Sequence, residues 1–155
     1  MDISTDDLSA SDVVALLEEH LAELRSVTPP ESVHALDLDA LRRPGVTFWS
    51  VRDHGVLLGC GAVRRLDAHH GEIKSMRTSS AAQRRGVAAA LLARMLSESA
   101  RAGLRRISLE TGTEEFFAPA RALYEKFGFS YCPPFGEYQE DPNSAFMTKL
   151  LVPLV

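Results

Sequence analysis

Cysteine is scarce in this chain. Cys60 and Cys132 lie far apart among 155 residues and lack any paired metal-ligand spacing. That excludes a disulfide-stapled scaffold and a thiolate zinc site, so both read as reduced thiols and no metal is expected. No apolar run approaches the ~18 to 20 residues needed to span a bilayer, and no membrane partner is expected. Basic residues are nearly missing from the first 41 positions, where Arg25 alone faces Asp2, Asp6, Asp7, Asp12, Glu18, Glu19, Glu23, Glu31, Asp37 and Asp39. So acidic and polar a start does not read as a signal or transit peptide, and the expected location is cytoplasmic. Repeats and low-complexity segments are absent, which argues against a solenoid or a fibrous chain. Neither the Walker loop nor the three-glycine dinucleotide fingerprint occurs. Aromatic residues do not interleave with basic ones, so no nucleic-acid partner is expected.

What is present suits one globular domain over 1–155. Apolar residues make up 45% and charged residues 25% of the chain, the balance of an ordinary globule with a real core. The net charge of -4 conceals a basic middle. Between Gly71 and Leu109 stand Lys74, Arg77, Arg84, Arg85, Arg94, Arg101, Arg105 and Arg106, against Glu72 and Glu98. Such a patch on a mildly acidic protein fits a compact polyphosphate ligand better than a long polyanion. Arg94 and Arg101 also fit the solvated face of a helix.

Periodicity and punctuation give the element order. A short strand at 3–5 precedes a helix capped by Ser9 or Ser11 and running to about Arg25, with Val13, Leu16, Leu17, Leu21 and Leu24 on one face. Thr28, Pro29 and Pro30 end it. A second short helix spans 37–43 and stops at Pro44 and Gly45. Strands follow at 46–52 and 56–66, joined through Asp53, His54 and Gly55, and a third strand spans 72–78. A long helix runs over 83–102 and ends at Gly103. A strand at 105–111, a helix at 116–127 closed by Gly128, a strand at 129–132, a loop at 133–143 and a last strand at 145–152 complete the chain. Antiparallel hairpins feeding a strand–helix–strand crossover imply a mixed sheet with helices on both faces.

The most informative residues are Gln83, Arg84, Arg85, Gly86, Val87 and Ala88, at the junction of the third long strand and the long helix. The first N–H groups of a helix have no internal partner, and the macrodipole adds partial positive charge there. Gly86 and Ala88 keep bulk away, so a phosphate can reach the backbone. A solvated basic turn at an ordinary helix start would look similar. The spacing resembles the acyl-coenzyme A pyrophosphate loop of the GNAT superfamily of N-acetyltransferases. That resemblance extends to Met76-Arg77-Thr78 on the preceding strand, although Thr78 stands where valine is more usual. It extends further to Leu123-Tyr124-Glu125-Lys126-Phe127-Gly128-Phe129, and the element order is similar throughout. One departure is Phe117, where many members carry an asparagine that contacts the cofactor arm.

The resemblance implies an α/β (α+β) fold with a mixed, mostly antiparallel central sheet of about seven strands. It implies acetyl transfer from acetyl-coenzyme A to a primary amine of a small molecule or peptide, by direct attack in a ternary complex. Gln83, Arg84, Arg85, Gly86, Val87, Ala88 and Ala89 would hold the pyrophosphate, and the backbone of Met76 and Thr78 the pantetheine arm. A backbone N–H at Met76 or Arg77 would serve the oxyanion. Tyr124 would be the general acid, since a phenol can protonate a departing thiolate. It could also simply pack its ring against the sheet.

The base is less determined. Glu72 is the first candidate by its place on the strand, where period 2 puts Glu72, Lys74, Met76 and Thr78 on one face. An ion pair with Lys74 or Arg77 is the alternative role. Glu110 is the second candidate, and solvent a third. His34, Glu110 and Tyr138 are candidate acceptor-binding residues by position, with His20, Ser32, Phe135 and Gln139 in the same regions. A homodimer is compatible with the sequence. Rival functions are a non-catalytic acyl-coenzyme A sensor or adaptor, and an O- or longer-chain acyltransferase.

Overall fold

The computed structural model describes residues 1–82 and 85–151. Gln83 and Arg84, two of the expected pyrophosphate-loop residues, therefore lie outside the described residues. Seven strands form one sheet in the order β1-β2-β3-β4-β5-β7-β6. They are β1 (Asp2–Thr5), β2 (Val46–Asp53), β3 (Val56–Arg65), β4 (His70–Thr78), β5 (Arg106–Gly112), β6 (Ser130–Tyr131) and β7 (Ser144–Leu150). Among the described residues only the β4–β5 pairing is parallel, and it encloses the crossover helix α3 (Val87–Arg101). The expected mixed, mostly antiparallel sheet is thus present.

Helices cover both faces, as two core clusters show. On one face Leu91, Leu92 and Met95 of α3, with Tyr124 of α4 (Ala118–Lys126), pack on Trp49, Val63, Ile73, Ile107, Leu109 and Met147. On the other, Val13, Leu16 and Leu17 of α1 (Ser11–Val27) and Leu41 of α2 (Leu38–Leu41) cover Phe48, Cys60 and Ala62. The β2 and β3 residues in these clusters show the alternation: Phe48 and Trp49 point to opposite faces, as do Ala62 and Val63.

Several expected boundaries move for identifiable reasons. Neither Ser9 nor Ser11 caps α1. Ala10 holds the N-cap without a side-chain bond, and Ser9 Oγ is bonded to Asp7 instead. Asp37 does cap α2, its carboxylate accepting from the Ala40 N–H at 2.8 Å. The long helix starts at Val87 and not at 83, because Gly86 adopts φ 76° and a helix cannot run through a left-handed residue. The segment expected as one helix over 116–127 divides into a 3₁₀ turn, Glu115–Phe117, and α4, with Pro119 in its first turn.

The largest departure lies in β4. Its pairing with β3 shifts between Cys60 and Ala62, and Ser75 has φ 57°. This bulge inserts one residue and reverses the alternation beyond it. Glu72 and Lys74 share the α1 face, but Met76 does not join them. Its sulfur lies, with that of Met95, where a Cβ on Gly61 would be, so Met76 packs toward α3. Arg77 turns to α1 and is paired with Glu19 at 2.7 Å and with Glu23. Cys60 Sγ donates to the Ser75 carbonyl at 3.5 Å, and burial pushes its thiol to about 12, so it stays protonated.

The packing of α3 fixes the helix whose first turn forms the loop. Leu92 is fully buried there. Leu92→Ala should lower unfolding free energy by about 2–5 kcal/mol, measured by denaturant titration. A loss below about 1 kcal/mol would mean that α3 is not anchored through this face.

Candidate active site

The β4–β5 ladder lasts for three register positions, His70↔Arg106, Gly71↔Ile107 and Glu72↔Ser108. Beyond Glu72 the strands diverge, and a small chamber of about 130 Å³ opens between them. Ile73, Lys74, Ser75 and Met76 line it from β4, Leu109, Glu110 and Thr111 from β5, and Tyr124 from α4.

A cavity of about 570 Å³ on the α3/α4 side shares His20, Met76, Phe117, Ala120 and Tyr124 with the chamber. Its walls include Met76, Arg77 and Thr78 at the end of β4, and Gly86, Val87, Ala88 and Ala89 at the start of α3. The first bond of α3 runs from the Ala90 N–H to the Gly86 carbonyl at 3.1 Å. The N–H groups of Val87, Ala88 and Ala89 precede it, and among the described residues none of them has a backbone acceptor. The Arg85 N–H, expected in the same set, is taken up by the Ala82 carbonyl at 3.4 Å. The Arg85 guanidinium is half exposed and lies 3.7 Å from Asp53. This turn with small side chains offers an anion site next to an apolar trough.

The opposite cavity, about 780 Å³, shares His34 and Lys74 with the chamber and is walled by the 133–143 loop. Its floor is a buried polar network. Glu72, with no exposed surface, accepts from Arg64 at 2.7 Å and from the Tyr138 hydroxyl at 2.5 Å. Lys74 Nζ lies 3.6 Å from Glu72 and donates to the Tyr138 hydroxyl at 3.0 Å and to the His34 carbonyl at 2.7 Å. Ser32 Oγ donates to Asp141 at 2.5 Å, a second tie between the 133–143 loop and the segment after α1. Burial lowers the Lys74 pKa, Arg64 adds to the effect, and Glu72 opposes it. Burial raises the Tyr138 pKa, with Glu72 adding its negative charge.

Glu110 has a different environment. It stands on the wall of the chamber, and burial raises its carboxyl to about 7, with Ser144 and Lys74 opposing and Glu72 and Asp141 adding smaller contributions. His20 reaches the same space from α1. Burial lowers it to about 4, with Arg77 and Lys74 adding, so its ring is neutral near pH 7. Tyr124 is 5% exposed and carries no nearby charge, so burial alone raises its pKa and keeps it protonated. Among the described residues no grouping of His, Cys, Asp and Glu suits a metal ion, and no helix is long and apolar enough to cross a membrane.

Residues 13–129 match the acetyltransferase (GNAT) family. The chain belongs to the GNAT family. It is 54% identical over 151 residues to the uncharacterized N-acetyltransferase YsnE of Bacillus subtilis, covering 97% of this chain and all of that one. It is 40% identical over 140 residues to the IAA acetyltransferase of Azospirillum brasilense, covering 90% of each chain. Among solved structures, a GNAT acetyltransferase of Elizabethkingia anophelis with acetyl-CoA bound superposes with a TM-score of 0.70 at 16% identity, over 97% of each chain. The chain is an acyltransferase.

In this GNAT chain the sequence-derived candidates converge in part. Met76, Thr78, Gly86, Val87, Ala88, Ala89 and Tyr124 line one cavity. Glu72, His34 and Tyr138 line the opposite one, and Glu110 stands in the chamber that adjoins both. Arg64, the nearer cationic partner of Glu72, is not visible in the sequence pattern, because its strand meets Glu72 only through the antiparallel register Arg64↔Glu72. Arg77, the other expected partner, is drawn away by Glu19 and Glu23. Phe117, in place of the family's asparagine, lays its ring where a Cβ on Gly112 would stand, 2.1 Å from the ideal Cβ position.

The network makes a stability prediction. Glu72→Gln leaves the Arg64 and Lys74 charges without their buried counter-ion. It should cost about 3–5 kcal/mol in denaturant unfolding. Adding Lys74→Met should recover part of that loss. A stable single variant would show that the pair carries no tension.

Proposed function

We propose that this acyltransferase transfers an acetyl group from acetyl-coenzyme A to a primary amine of a small molecule or peptide, by direct attack in a ternary complex. The observation that carries the reading is the chamber between β4 and β5, with Tyr124 on its α4 side and Glu110 on its β5 side. The pyrophosphate would lie on the N–H groups of Val87, Ala88 and Ala89, and the amides of the pantetheine arm would pair with the free edge of β4 around Met76 and Thr78. That two-ended hold places the thioester in the chamber.

The acceptor enters from the 780 Å³ side, past His34 and Tyr138. We place the base at Glu110. Glu72, the first candidate by strand position, is fully buried and committed to Arg64 and Tyr138, which suits a strut better than a base. Glu110, with a pKa near 7, is balanced between holding and releasing a proton at neutral pH. It takes the proton from the ammonium, the amine nitrogen bonds to the thioester carbon, and a backbone N–H of Met76 or Arg77 supports the developing oxyanion. The carbon–sulfur bond then breaks, the Tyr124 hydroxyl passes its proton to the thiolate, and the second proton, shed by the acylated nitrogen, returns to Tyr124 through solvent, so that a neutral amide and free coenzyme A thiol leave a reset site.

An amine-library assay for thiol release with acetyl-coenzyme A tests the activity. If coenzyme A binds but no amine elicits release, the protein is a sensor and the catalytic reading falls. With an active acceptor, kcat/KM should rise with pH through a midpoint about 7, and Glu110→Gln should abolish that limb. Retention of the limb in this variant, and its loss in Glu72→Gln, would return the base to Glu72. Tyr124→Phe should lower kcat by ~10²-fold with donor affinity nearly intact.

Glu110 should also leave a mark on stability. Its pKa is higher folded than unfolded, so the folded protein binds more protons between about 4.5 and 7, and stability falls as pH rises through that window. Glu110→Gln should therefore raise the melting temperature at pH 8 and change it little at pH 4. An unchanged melting temperature at pH 8 would mean that the carboxylate is solvated.

A further inference from the structure

We propose that Phe116 is the platform on which the purine ring of the coenzyme A donor stacks. The inference rests on the reading that the 570 Å³ cavity takes that donor. Phe116 is 49% exposed, a large aromatic side chain left open in a cavity wall and not on a convex surface. The wall runs from this ring along α4 to Tyr124, which is 5% exposed. A donor with its thioester at Tyr124 and its pyrophosphate at Val87–Ala89 therefore has its nucleotide end toward solvent, where Phe116 is.

The ring is braced as a platform should be. It sits in the 3₁₀ turn Glu115–Phe117, closed by the Phe117 N–H to the Glu114 carbonyl at 3.0 Å. Arg121 Nη1 pins the same turn through the Gly112 and Glu114 carbonyls, at 2.6 and 3.0 Å. Phe116 meets Phe117 edge to face, with centroids 5.0 Å apart and planes at 87°. Phe117 is in turn seated on Gly112, where only a glycine leaves room for the ring. Phe117 thus stands where a polar hook to the cofactor arm would be expected, and it braces Phe116 beside it. A flat, apolar, electron-rich face suits a purine, which stacks on aromatic rings, better than it suits the amide-bearing pantetheine arm.

Calorimetry with two ligands separates the contributions. Coenzyme A carries the adenosine, whereas 4′-phosphopantetheine keeps the arm and a terminal phosphate without it. Phe116→Ala should weaken coenzyme A about tenfold and leave phosphopantetheine affinity unchanged. Phe116→Trp should restore coenzyme A affinity and show indole fluorescence quenched on binding. Equal weakening of both ligands would overturn the proposal and make Phe116 a wall of the arm's channel. No change for either would overturn it too and leave the ring a surface residue. Failure of the wild-type protein to bind coenzyme A would remove the donor reading itself, and the stacking with it.

Discussion

Everything in the site depends on two parallel strands that part company. A β-sheet is normally a closed wall, because unpaired backbone groups are costly to bury. Here β4 and β5 stop pairing after Glu72↔Ser108, and the gap brings the two faces of the sheet together at one chamber. The charge network keeps that gap in a defined shape. Glu72 stands at the last paired position, tied to β3 through Arg64 and to the 133–143 loop through Tyr138. Lys74, two residues on, ties the same strand to the segment after α1. The strand that turns away is thus held from three directions at the point of divergence.

The bulge at Ser75 does the rest. Without it, Met76 would follow Lys74 toward α1 and Arg77 would point at α3. With it, an apolar side chain lines the 570 Å³ cavity, and a guanidinium reaches the acidic surface of α1. A non-glycine residue at φ 57° is unfavourable in isolation and persists only where its surroundings fix it. Cys60 beneath the Ser75 carbonyl, and the side-chain-free Gly61 opposite Met76, supply that fixation.

Much of this was legible in the sequence. The strand and helix order and the turn at Gly86 follow from period, punctuation and small residues, which are local signals. What the sequence concealed was non-local. Period 2 cannot reveal a bulge, since Ser75 is an ordinary strand residue by composition. The pairing of Arg64 with Glu72 needs the register of two strands, and the diversion of Arg77 to Glu19 and Glu23 needs the docking of α1. Glu110 could not be ranked above Glu72 because their chemistry is the same. What distinguishes them is that Glu72 is held by two close partners, Arg64 and Tyr138, whereas burial dominates at Glu110.

That distinction shows why two acids on one face of the sheet can have opposite roles. Glu72 and Glu110 both face the α1 side, within each other's electrostatic influence. Ionised Glu72, held by Arg64 and Tyr138, disfavours a second negative charge nearby, as does Asp141. Lys74 acts the other way and outweighs Glu72, and Ser144 also favours the ionised form, so burial is what raises the Glu110 carboxyl. Burial, and not the charge of the Glu72–Lys74 pair, therefore gives Glu110 its affinity for a proton, while the pair stiffens the strand. A carboxylate in water would be too weak a base to compete for an ammonium proton, whereas one raised to about 7 is much closer in strength. In the proposed reaction the network around Glu72 thus holds the strand in place, and the closure of the chamber around Glu110 sets how tightly that carboxyl holds its proton.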